Sequence, residues 1–408
     1  MRPVRQCVVL VGGLGTRLGS LVADVPKPML PVAGAPFLAS LLREVARYGI
    51  TDVLLLTGHL SEVVEAALPA LEAGLPRPMR IMVSREPVRA GTGGALHHAA
   101  DRLQDRFLLL NGDSFFDCPL GPLLAVPPHA GVLGHLMLRT VPDVSRYGVV
   151  KLEDDRVVAF QARPEEMGQT APGVINGGVY VLDRSVLEYV SPQCSLEQDV
   201  LPGLAASGRL RGTLAEGWFI DIGIPADLAR AQHELPARLA RRALLLDRDG
   251  VCNVDHGWVG TRDRFEWVPG ALDAIVAASR LGWHVFVVTN QSGVARGFYT
   301  EEDVVALLGW MQSEAMRAGG TIDDVRYCPY HPEAPLETYR RASGWRKPGP
   351  GMILDLARAW RLDPADCVMV GDQASDMEAA AAAGVRGHRF AGGNLADFVR
   401  PLLAEARP

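Results

Sequence analysis

Twice along this chain, an apolar run of strand length ends directly in a turn rich in glycine or aspartate. Residues 7–11 lead into Gly12-Gly-Leu-Gly-Thr-Arg17, and residues 243–246 lead into Asp247-Arg-Asp-Gly250. Each run predicts the first strand of a doubly wound sheet, because the ligand-binding turns of such sheets follow the carboxyl ends of their strands. The 408 residues also exceed what one hydrophobic core usually holds. The chain is therefore predicted to form two α/β domains.

The two domains are predicted to comprise residues 1–238 and 239–408. Residues 225–240 have the pattern of a helix broken at Pro236. The arginine-rich stretch at its end leads directly into residues 243–246, the predicted first strand of the second domain. Residues 131–182 contain alternating strand-like runs rather than strand–helix units. We therefore expect a Rossmann-like first domain with a β-rich layer that covers a substrate, and a doubly wound second domain.

Charge and composition argue against several classes of partner. The formal net charge is −6 and no Lys/Arg-rich run reverses it, so we expect no nucleic acid. No run of about 18 apolar residues predicts a membrane span, and the apolar run near the N-terminus is too short for the core of a signal peptide. The six cysteines include no Cys-x-x-Cys pair and are expected to be reduced thiols. We expect a cytoplasmic protein with small-molecule partners.

Two carboxylates, Asp247 and Asp249, follow the second predicted strand directly. Residues two positions apart on an extended segment point the same way. One carboxylate can therefore attack phosphorus while the other protonates the leaving oxygen and later activates water. Taken alone, such a pair is more often a solvated acidic turn.

Further motifs favour catalysis, and each follows a predicted strand. Thr289-Asn-Gln-Ser-Gly293 comes after residues 284–288, and its hydroxyl and backbone amides can hold phosphate oxygens. Lys347 stands before a helix that proline can initiate, where it can neutralise charge that builds on phosphorus. Asp372 and Asp376 form a second carboxylate pair. Together these motifs predict a phosphatase.

A magnesium site is predicted among the carboxylates of the second domain. Asp247, the carbonyl of Asp249 and Asp372 offer hard oxygen ligands, which suit Mg²⁺ bound to a phosphate ester. The expected chemistry is therefore that of an aspartate nucleophile assisted by Mg²⁺.

Residues 243–398 resemble the haloacid-dehalogenase superfamily, specifically the D-glycero-D-manno-heptose-1,7-bisphosphate 7-phosphatase family. The segments that carry the resemblance are Asn253-Val-Asp-His-Gly-Trp-Val259, Phe265-Glu-Trp-Val-Pro-Gly270, Thr289-Asn-Gln-Ser-Gly-Val-Ala-Arg-Gly297 and Tyr327-Cys-Pro-Tyr-His-Pro332. The resemblance implies a nucleophile at Asp247 and an acid/base at Asp249. Substrate and phosphate contacts are expected from Thr289, Asn290, Gln291, Arg346 and Lys347. Histidinol-phosphate phosphatases are close relatives of that family and give the alternative substrate.

One loop of the second domain departs from that family. Most members hold it with zinc, bound by a Cys-Pro-His pattern and a later Cys-x-Cys. Here Cys328 remains, whereas the other three ligands are replaced by Tyr330, Ser343 and Trp345. Cys328 and His331 alone would not close a tetrahedral site. We therefore expect no zinc, and we expect packing around Trp345 as a plug to hold the loop.

The glycine-rich turn of the first domain fits neither of the two familiar phosphate-binding loops. It lacks the Gly-Lys-Ser/Thr of a P-loop, and Leu18 stands where a dinucleotide-binding loop needs its third glycine or alanine. Instead it is joined to Arg17 and, ten residues later, to Lys27 between two prolines. Such a loop can wrap a triphosphate, with Arg17 clamping the departing phosphates and Lys27 aimed at the reacting centre.

Two aspartates at separate strand ends predict a second metal site. Asp113 follows the strand-like residues 107–110, and Asp221 ends another apolar run. Each acid alone is more often a helix cap or a turn residue. Together they supply what a Mg²⁺-bridged phosphoryl site requires. We therefore expect Mg²⁺ in both domains.

Residues 4–233 resemble the sugar-1-phosphate nucleotidyltransferases, specifically the D-glycero-D-manno-heptose-1-phosphate guanylyltransferases. The resemblance is carried by Gly12-Gly-Leu-Gly-Thr-Arg-Leu18, Pro26-Lys-Pro-Met29, Gly91-Thr-Gly-Gly94, Leu110-Asn-Gly-Asp-Ser-Phe-Phe116 and Ile175-Asn-Gly-Gly-Val-Tyr180. It implies a GT-A-like fold, metal binding by Asp113 and Asp221, and a base beside the Gly91 segment. It also implies attack of a sugar phosphate on the α-phosphate, with release of pyrophosphate. The nucleotide and substrate contacts that we expect are Gly12, Gly13, Gly15, Thr16, Gly91, Thr92, Gly93, Asn176 and Gly177.

One segment of the first domain also departs from its family. Where that family commonly has Phe-x-Glu-Lys, this chain has Phe160-Gln-Ala-Arg163. The cation is kept, but a carboxylate that would bind sugar hydroxyls is lost. Arg163 is expected to bind phosphate.

The two resemblances name consecutive steps of one pathway, because removal of the 7-phosphate yields the heptose 1-phosphate that the other domain would activate. The sequence therefore predicts a bifunctional enzyme that makes a nucleotide-activated heptose, with GTP as the expected nucleotide and ATP as the alternative. Two rival hypotheses remain at this point. One is a sensor that binds a sugar nucleotide without turnover, and the other is a transferase for another sugar fused to a phosphatase of different specificity.

Overall fold

A computed structural model of the chain describes residues 4–13, 16–127, 129–145, 147–161 and 171–405. Gly15 and Arg163 lie outside these residues. Contacts divide the chain into two compact units, Met1–Leu239 and Ala240–Pro408. No helix in the described part of the chain is long and apolar enough to cross a membrane.

The first unit contains thirteen strands and six α-helices among its described residues. The strands are β1 (Gln6–Leu10), β2 (Pro31–Val32), β3 (Ala35–Pro36), β4 (Asp52–Thr57), β5 (Arg80–Arg85), β6 (Arg106–Asn111), β7 (Ser114–Phe116), β8 (Gly134–Val141), β9 (Val149–Glu153), β10 (Arg156–Gln161), β11 (Gly173–Asp183), β12 (Leu210–Leu214) and β13 (Phe219–Asp221). The helices are α1 (Phe37–Ala46), α2 (Ser61–Ala73), α3 (Gly91–His98), α4 (Leu120–Ala125), α5 (Leu201–Ala206) and α6 (Pro225–Leu239).

Nine of these strands form one mixed sheet in the order β5-β4-β1-β6-β11-β8-β12-β10-β9. Strands β5, β4, β1 and β6 are parallel, and the three inner strands β4, β1 and β6 are buried and mostly apolar, as is usual where helices cover both faces of a parallel sheet. Strand β11 runs antiparallel to β6 and β8, and β9 and β10 form an antiparallel pair. The predicted combination of a Rossmann-like half and a β-rich layer is confirmed.

A bulge in β11 shapes the centre of this sheet. The register between β11 and β8 shifts between Asn176 and Val179, and Gly178 within the bulge has φ +72°. Glycine adopts this left-handed conformation without the strain that a Cβ atom would bring. A Cβ atom on Gly177 would lie 2.7 Å from the Phe116 ring. The bulge therefore depends on both glycines, and it sets the direction of the Asn176 side chain.

The helix before the second unit is continuous, so the prediction of a break at Pro236 is wrong. Helix α6 runs through Pro236 to Leu239. Proline removes one backbone hydrogen bond from a helix. Here Ala231 and Leu235 are both buried, and their packing keeps the helix regular past the proline.

The second unit contains five strands and five α-helices in the residues that the structure describes. The strands are β14 (Ala243–Leu246), β15 (His284–Asn290), β16 (Asp324–Cys328), β17 (Cys367–Gly371) and β18 (Arg386–Arg389). The helices are α7 (Ala271–Arg280), α8 (Glu301–Arg317), α9 (Gly351–Trp360), α10 (Ala374–Ala382) and α11 (Leu395–Ala404).

The five strands of the second unit form a parallel sheet in the order β16-β15-β14-β17-β18. The chain winds from β14 to one side of the sheet and then to the other, so β14 marks the point where the strand order reverses. In open parallel sheets, ligands bind beyond the carboxyl ends of the strands at this point. The predicted doubly wound fold is confirmed, and the turn after β14 lies where a ligand is expected.

Candidate functional sites

Lys347 joins the two carboxylate pairs of the second unit. Its Nζ atom lies 2.8 Å from Oδ1 of Asp247 and 2.6 Å from Oδ1 of Asp376, and it donates a hydrogen bond of 3.0 Å to the carbonyl of Val288. Asp247 follows β14, and Asp376 lies in the first turn of α10. Residues from three separate segments therefore meet at one buried ammonium group.

The main chain of Lys347 is fixed by Asn290, at the end of β15. The Asn290 side chain accepts a hydrogen bond of 3.0 Å from the Lys347 backbone N–H and donates one of 3.1 Å to the Lys347 carbonyl. Asn290, which the sequence predicted to bind substrate, is thus occupied by positioning Lys347.

Burial and the mutual attraction of Lys347 and Asp247 have opposite effects on the pKa values of these two residues. Burial disfavours the charge of Lys347, but Asp247 and Asp376 outweigh that effect and raise the pKa of Lys347. Burial raises the pKa of Asp247 and Asp376 acts the same way, while Lys347 lowers it. The backbone N–H of Arg248 also donates to Oδ1 of Asp247 at 2.7 Å. The nucleophile candidate therefore lies in a site where its charge is stabilised chiefly by one lysine.

Asp249 is held by three side chains. Arg248 Nη2 and Asn253 Nδ2 donate to its Oδ1 atom at 2.8 and 3.0 Å, and Gln291 Nε2 donates to its Oδ2 atom at 2.9 Å. Gln291 also donates to the hydroxyl of Thr289 and accepts from Tyr299, both at 2.8 Å. This network fixes the orientation of the acid/base candidate beside Asp247.

These side chains open into a cavity of about 330 Å³. It is lined by Asp247, Asp249, Asp255, Gly257, Trp258, Thr289, Asn290, Ser292, Tyr299, Arg346, Lys347, Asp372, Gln373, Ser375 and Asp376. Of the residues predicted for this site, only Gln291 is absent from the wall, because it lies behind Thr289 and Asp249.

The carboxylates at the floor of this cavity fit a divalent cation. Oxygens of Asp247, Asp372 and Asp376 lie within 4.8 Å of one another. Oδ1 of Asp372 is buried and has no hydrogen-bond partner in the described residues, which leaves it available as a ligand. A Cβ atom on Gly250 would lie 2.6 Å from Oδ2 of Asp372, so glycine keeps this space open.

The loop that lacks the zinc ligands is held by hydrogen bonds. The Glu301 carboxylate accepts from the hydroxyls of Tyr327 and Tyr339, at 2.7 and 3.0 Å, and the Arg341 guanidinium lies 3.7 Å from the centroid of the Tyr330 ring. Trp345 is 38% exposed, so the prediction that it plugs the loop is wrong. Glu301 lies at the start of α8, where its carboxylate can bind two tyrosine hydroxyls at once. To hold the loop by packing, Trp345 would instead need a pocket that encloses its ring.

In the first unit, Lys27 lies between the two predicted metal ligands. Its Nζ atom is 2.6 Å from Oδ2 of Asp113 and 3.1 Å from Oδ1 of Asp221. The two acids meet because β7 and β13 pair with Asp221 opposite Ser114. A Cβ atom on Gly223 would lie about 3 Å from both Nζ of Lys27 and a guanidinium nitrogen of Arg17. The four predicted charged residues therefore converge on one point.

Negative charge is crowded around Lys27. Burial raises the pKa of Asp221, Asp113 raises it further, and Lys27 and Arg17 lower it. Two carboxylates that share one ammonium group also suit a divalent cation.

A cavity of about 240 Å³ opens beside Lys27 and Asp113. It is lined by Leu10, Gly13, Lys27, Pro28, Thr92, Asn111, Gly112, Asp113, Tyr180, Leu196 and Glu197. Of the residues predicted to bind nucleotide or substrate through this region, Gly13 and Thr92 line the cavity. The other predicted residues that the structure describes here do not line it: Gly12, Gly91, Gly93, Asn176 and Gly177. Thr16 begins a 3₁₀-helical segment that runs to Val22 and is kinked at Gly19.

The glycines of the Gly91 segment serve close packing. The backbone N–H groups of Gly93 and Gly94 donate to the carbonyl of Cys194 at 3.0 and 3.1 Å, and a Cβ atom on Gly91 would lie 2.5 Å from the same oxygen. The hydroxyl of Thr92 accepts from the backbone N–H of Leu196 at 2.8 Å. The segment thus holds residues 194–196 against the cavity.

Glu197 is a cavity residue that the sequence did not single out. Asn176 Nδ2 donates to its Oε1 atom at 3.0 Å, and the hydroxyl of Tyr180 donates at 3.3 Å. Burial raises the pKa of Glu197, and its hydrogen bonds act the other way. The predicted ligand Asn176 therefore orients a carboxylate that faces the cavity. The acidic Glu197-Gln-Asp199 following Ser195 was the available signal, but it has the pattern of an ordinary helix start.

Glu86 connects the two glycine-rich segments. Its Oε2 atom accepts from the backbone N–H of Ala90 at 3.1 Å, and a Cβ atom on Gly12 would lie 3.3 Å from its Oε1 atom. Burial raises the pKa of Glu86. A carboxylate therefore lies between the Gly12 turn and the Gly91 segment.

Known proteins are similar to each of the two units. A family model described as Nucleotidyl transferase matches residues 6–238, and one described as HAD-hydrolase-like matches residues 344–396. The D-glycero-beta-D-manno-heptose-1,7-bisphosphate 7-phosphatase of Rhodopseudomonas palustris is 52% identical over 165 residues, which are 40% of this chain and 92% of that protein.

Two further comparisons concern the first unit. The D-glycero-alpha-D-manno-heptose 1-phosphate guanylyltransferase of Aneurinibacillus thermoaerophilus is 35% identical over 235 residues, which are 56% of this chain and 98% of that protein. A crystal structure of HddC from Yersinia pseudotuberculosis complexed with GMP-PN has 27% identity and a TM-score of 0.46, and it covers 57% of this chain and 100% of that chain. The chain therefore belongs to the nucleotidyl transferase family through its first unit and to the 7-phosphatase family of HAD-like enzymes through its second.

Proposed function

We propose that the chain catalyses two consecutive reactions. The second unit would remove the 7-phosphate of D-glycero-D-manno-heptose 1,7-bisphosphate, and the first would transfer a nucleotidyl group from GTP to the heptose 1-phosphate and release pyrophosphate. One observation carries the proposal: a single chain joins two units that match 92% and 98% of the lengths of two relatives, and the names of these relatives describe these two reactions.

In the phosphatase reaction, the geometry supports Asp247 as the nucleophile. Its Oδ1 atom is bound to Lys347, which can also neutralise charge on the phosphoryl group as that charge develops. Asp249, oriented by Arg248, Asn253 and Gln291, would protonate the leaving oxygen and then take a proton from the attacking water.

Mg²⁺ fits both units by the chemistry of their carboxylates. In the second unit Asp247, the carbonyl of Asp249 and Asp372 would hold it, and in the first unit Asp113 and Asp221. When bound, Mg²⁺ supplies positive charge that stabilises phosphate oxygens during transfer.

In the transferase reaction, Lys27 and Arg17 supply the fixed positive charge. Lys27 is buried and rigidly placed by its two carboxylate partners, so it can bind phosphate oxygens with little reorganisation. Arg17 and Lys27 both lie beside Gly223, and Arg17 can clamp the departing pyrophosphate. A sensor without turnover would not need these four charged residues at one point. A cytoplasmic location would give the enzyme its nucleoside triphosphate.

GTP is the proposed nucleotide because the matched relative is a guanylyltransferase. Guanine differs from adenine in having an N–H group at N1 and an amino group at N2, and both need acceptors. The carboxylate of Glu86, between the two glycine-rich segments, can accept both hydrogen bonds.

The two relatives are named for opposite anomers, β for the phosphatase and α for the guanylyltransferase. Consecutive reactions require one anomer for both units. The transferase acts directly on the phosphate at the anomeric carbon, whereas the phosphatase acts at O7, far from that carbon. We therefore propose that both units use the α anomer.

The test is to supply the full chain with each anomer of the bisphosphate and to measure release of inorganic phosphate. Pyrophosphate release is then measured with GTP, ATP, CTP, UTP or dTTP. We expect the highest kcat/KM with the α anomer and GTP. Preference for ATP would change the nucleotide in the proposed product and leave the proposed mechanism unchanged. Preference for a pyrimidine nucleotide would overturn the guanylyltransferase proposal. Faster hydrolysis of histidinol phosphate than of either bisphosphate would overturn the phosphatase proposal.

A further inference from the structure

A second cavity of the second unit, about 440 Å³, lies beside the loop that lacks the zinc ligands. The three residues that stand in place of zinc ligands, Tyr330, Ser343 and Trp345, are all in its wall. Among the residues that the structure covers, none lines both this cavity and the phosphatase cavity. The loop therefore bounds a separate cavity that neither proposed reaction uses.

Trp345 is an exposed aromatic ring held in one position. The ring packs against the start of α9, where a Cβ atom on Gly351 would lie 2.8 Å from Cδ1 of Trp345. The backbone N–H of Gly351 donates to the carbonyl of Gly344 at 2.9 Å, which ties the residue before Trp345 to the same helix. The Trp345 side chain is nevertheless exposed. Such a ring can stack on a planar ligand with little loss of conformational freedom.

The wall also contains a cation with free donors. The guanidinium of Arg341 lies 3.7 Å from the centroid of the Tyr330 ring, and within the described ranges it has no carboxylate partner and no side-chain hydrogen bond. A guanidinium stacked on a ring keeps the N–H donors in its own plane available to an anion. Arg326, also in the wall, is by contrast paired with Asp324 and Asp355 at 2.8 and 2.7 Å. Arg341 is therefore the arginine of this wall that is available to an anionic ligand.

Glu301 adds a hydrogen-bond acceptor to the same wall. Its two oxygens each accept one hydroxyl, from Tyr327 and Tyr339, which leaves further acceptor capacity on the carboxylate. An exposed ring, an unpaired guanidinium and a carboxylate acceptor match the three parts of a nucleotide. The base stacks on aromatic rings, its ring N–H or amino groups donate hydrogen bonds, and its phosphates bind arginine.

We propose that this cavity binds a purine nucleotide, outside both catalytic sites. The base would stack on Trp345 and donate to Glu301, and the phosphates would accept hydrogen bonds from Arg341. Two sources offer this chemistry, a free nucleotide and a nucleotide sugar, and only the second rests on the proposed function. Trp345 directly precedes Arg346 and Lys347, so a bound nucleotide would restrain the segment that carries two residues of the phosphatase cavity.

The test is photolabelling of the full chain with 8-azido-GDP, followed by mass spectrometry of the labelled peptides. We expect label within residues 325–345. Loss of the stacked ring in Trp345→Leu, or of the cation in Arg341→Gln, should raise the apparent Kd of that labelling about 10- to 100-fold. Trp345→Tyr keeps a ring and should retain most of the labelling. The matched control is Arg262→Gln, because Arg262 lies over the Trp310 ring at 5.1 Å and is not in this wall.

Competition experiments separate the two sources. Stronger competition by GDP-mannose than by GDP would assign the site to a nucleotide sugar, and the reverse order would assign it to a free nucleotide. Competition by inorganic phosphate or by mannose 1-phosphate as strong as that by GDP would show a site for anions without a base and overturn the inference.

The inference would also be overturned if no label appeared within residues 325–345, or if Arg341→Gln were labelled there as strongly as wild type. Absence of label from the first unit alone would instead count against the proposed use of GTP and leave this inference standing. If Trp345→Leu does not fold, Arg341→Gln decides the question, since Arg341 is an exposed side chain.

Discussion

At the scale of single residues, a few buried charges organise both sites. Lys347 contacts two carboxylates and a carbonyl, and Lys27 contacts two carboxylates. Each lysine is therefore held in one geometry before substrate arrives. The energetic cost of burying these charges is offset only if the partners remain, so replacement of one partner affects the others.

Glu86 gives a residue-scale prediction on nucleotide choice. In Glu86→Gln, one acceptor for guanine becomes a donor, so the ratio of kcat/KM for GTP to that for ATP should fall about 10- to 100-fold. Glu62→Gln is the matched control, because Glu62 is an exposed glutamate paired only with Arg85. Equal losses with GTP and ATP would show that Glu86 only pins the Ala90 segment.

Sequence spacing was enough to bring Asp247, Lys347 and Asp372 to one sheet edge, because strand ends can be recognised from apolar runs. It could not identify the contact between Lys347 and Asp376, which depends on how α9 and α10 pack against the sheet. Nor could it show that Asn290 binds the Lys347 backbone, since an asparagine beside a phosphate-binding loop can contact either the substrate or the neighbouring main chain. Arg248 was missed for a similar reason: it is fully buried although its neighbours suggest a surface turn.

At the scale of elements, the loop after β16 is held by side chains from several parts of the second unit. Glu301 binds the hydroxyls of Tyr327 and Tyr339, and Arg341 stacks on Tyr330. These contacts restrain the loop from several directions without a tetrahedral centre. The sequence could not point to Glu301 as a contact of this loop, because Glu301 lies on a separate helix, α8, distant in sequence.

We predict that purified enzyme contains no stoichiometric zinc and that its loop depends on Glu301. Elemental analysis after dialysis should find well under one zinc per chain, and a zinc-selective chelator, added with Mg²⁺ in excess, should not change the thermal unfolding of the second unit. Glu301→Gln should lower the melting temperature by a few degrees, as expected when a charged hydrogen-bond acceptor becomes neutral. Zinc that survives dialysis, with loss of stability when it is removed, would contradict this prediction.

At the scale of the whole molecule, the two proposed activities should be separable, because no predicted site residue is shared between the units. Asp247→Asn should abolish release of phosphate and leave nucleotidyl transfer from supplied heptose 1-phosphate unchanged. Lys27→Ala should reduce transfer about 10²- to 10³-fold, the usual loss of one charged transition-state contact, and leave phosphate release unchanged. Loss of transfer in folded Asp247→Asn protein would show that the activities depend on each other.

The strand order of the second unit also determines when that unit can be completed during synthesis. The central strand β14 pairs with β17, so that Ala243 lies opposite Cys367. A ribosome adds residues from the N-terminus, and β14 must therefore emerge and wait for a neighbour that is made much later. By then the last strand of the first unit, β13, is long complete. A chain interrupted between these two points would carry all strands of the first unit and a β14 strand with one apolar edge unpaired, which makes it a target for chaperones and proteases.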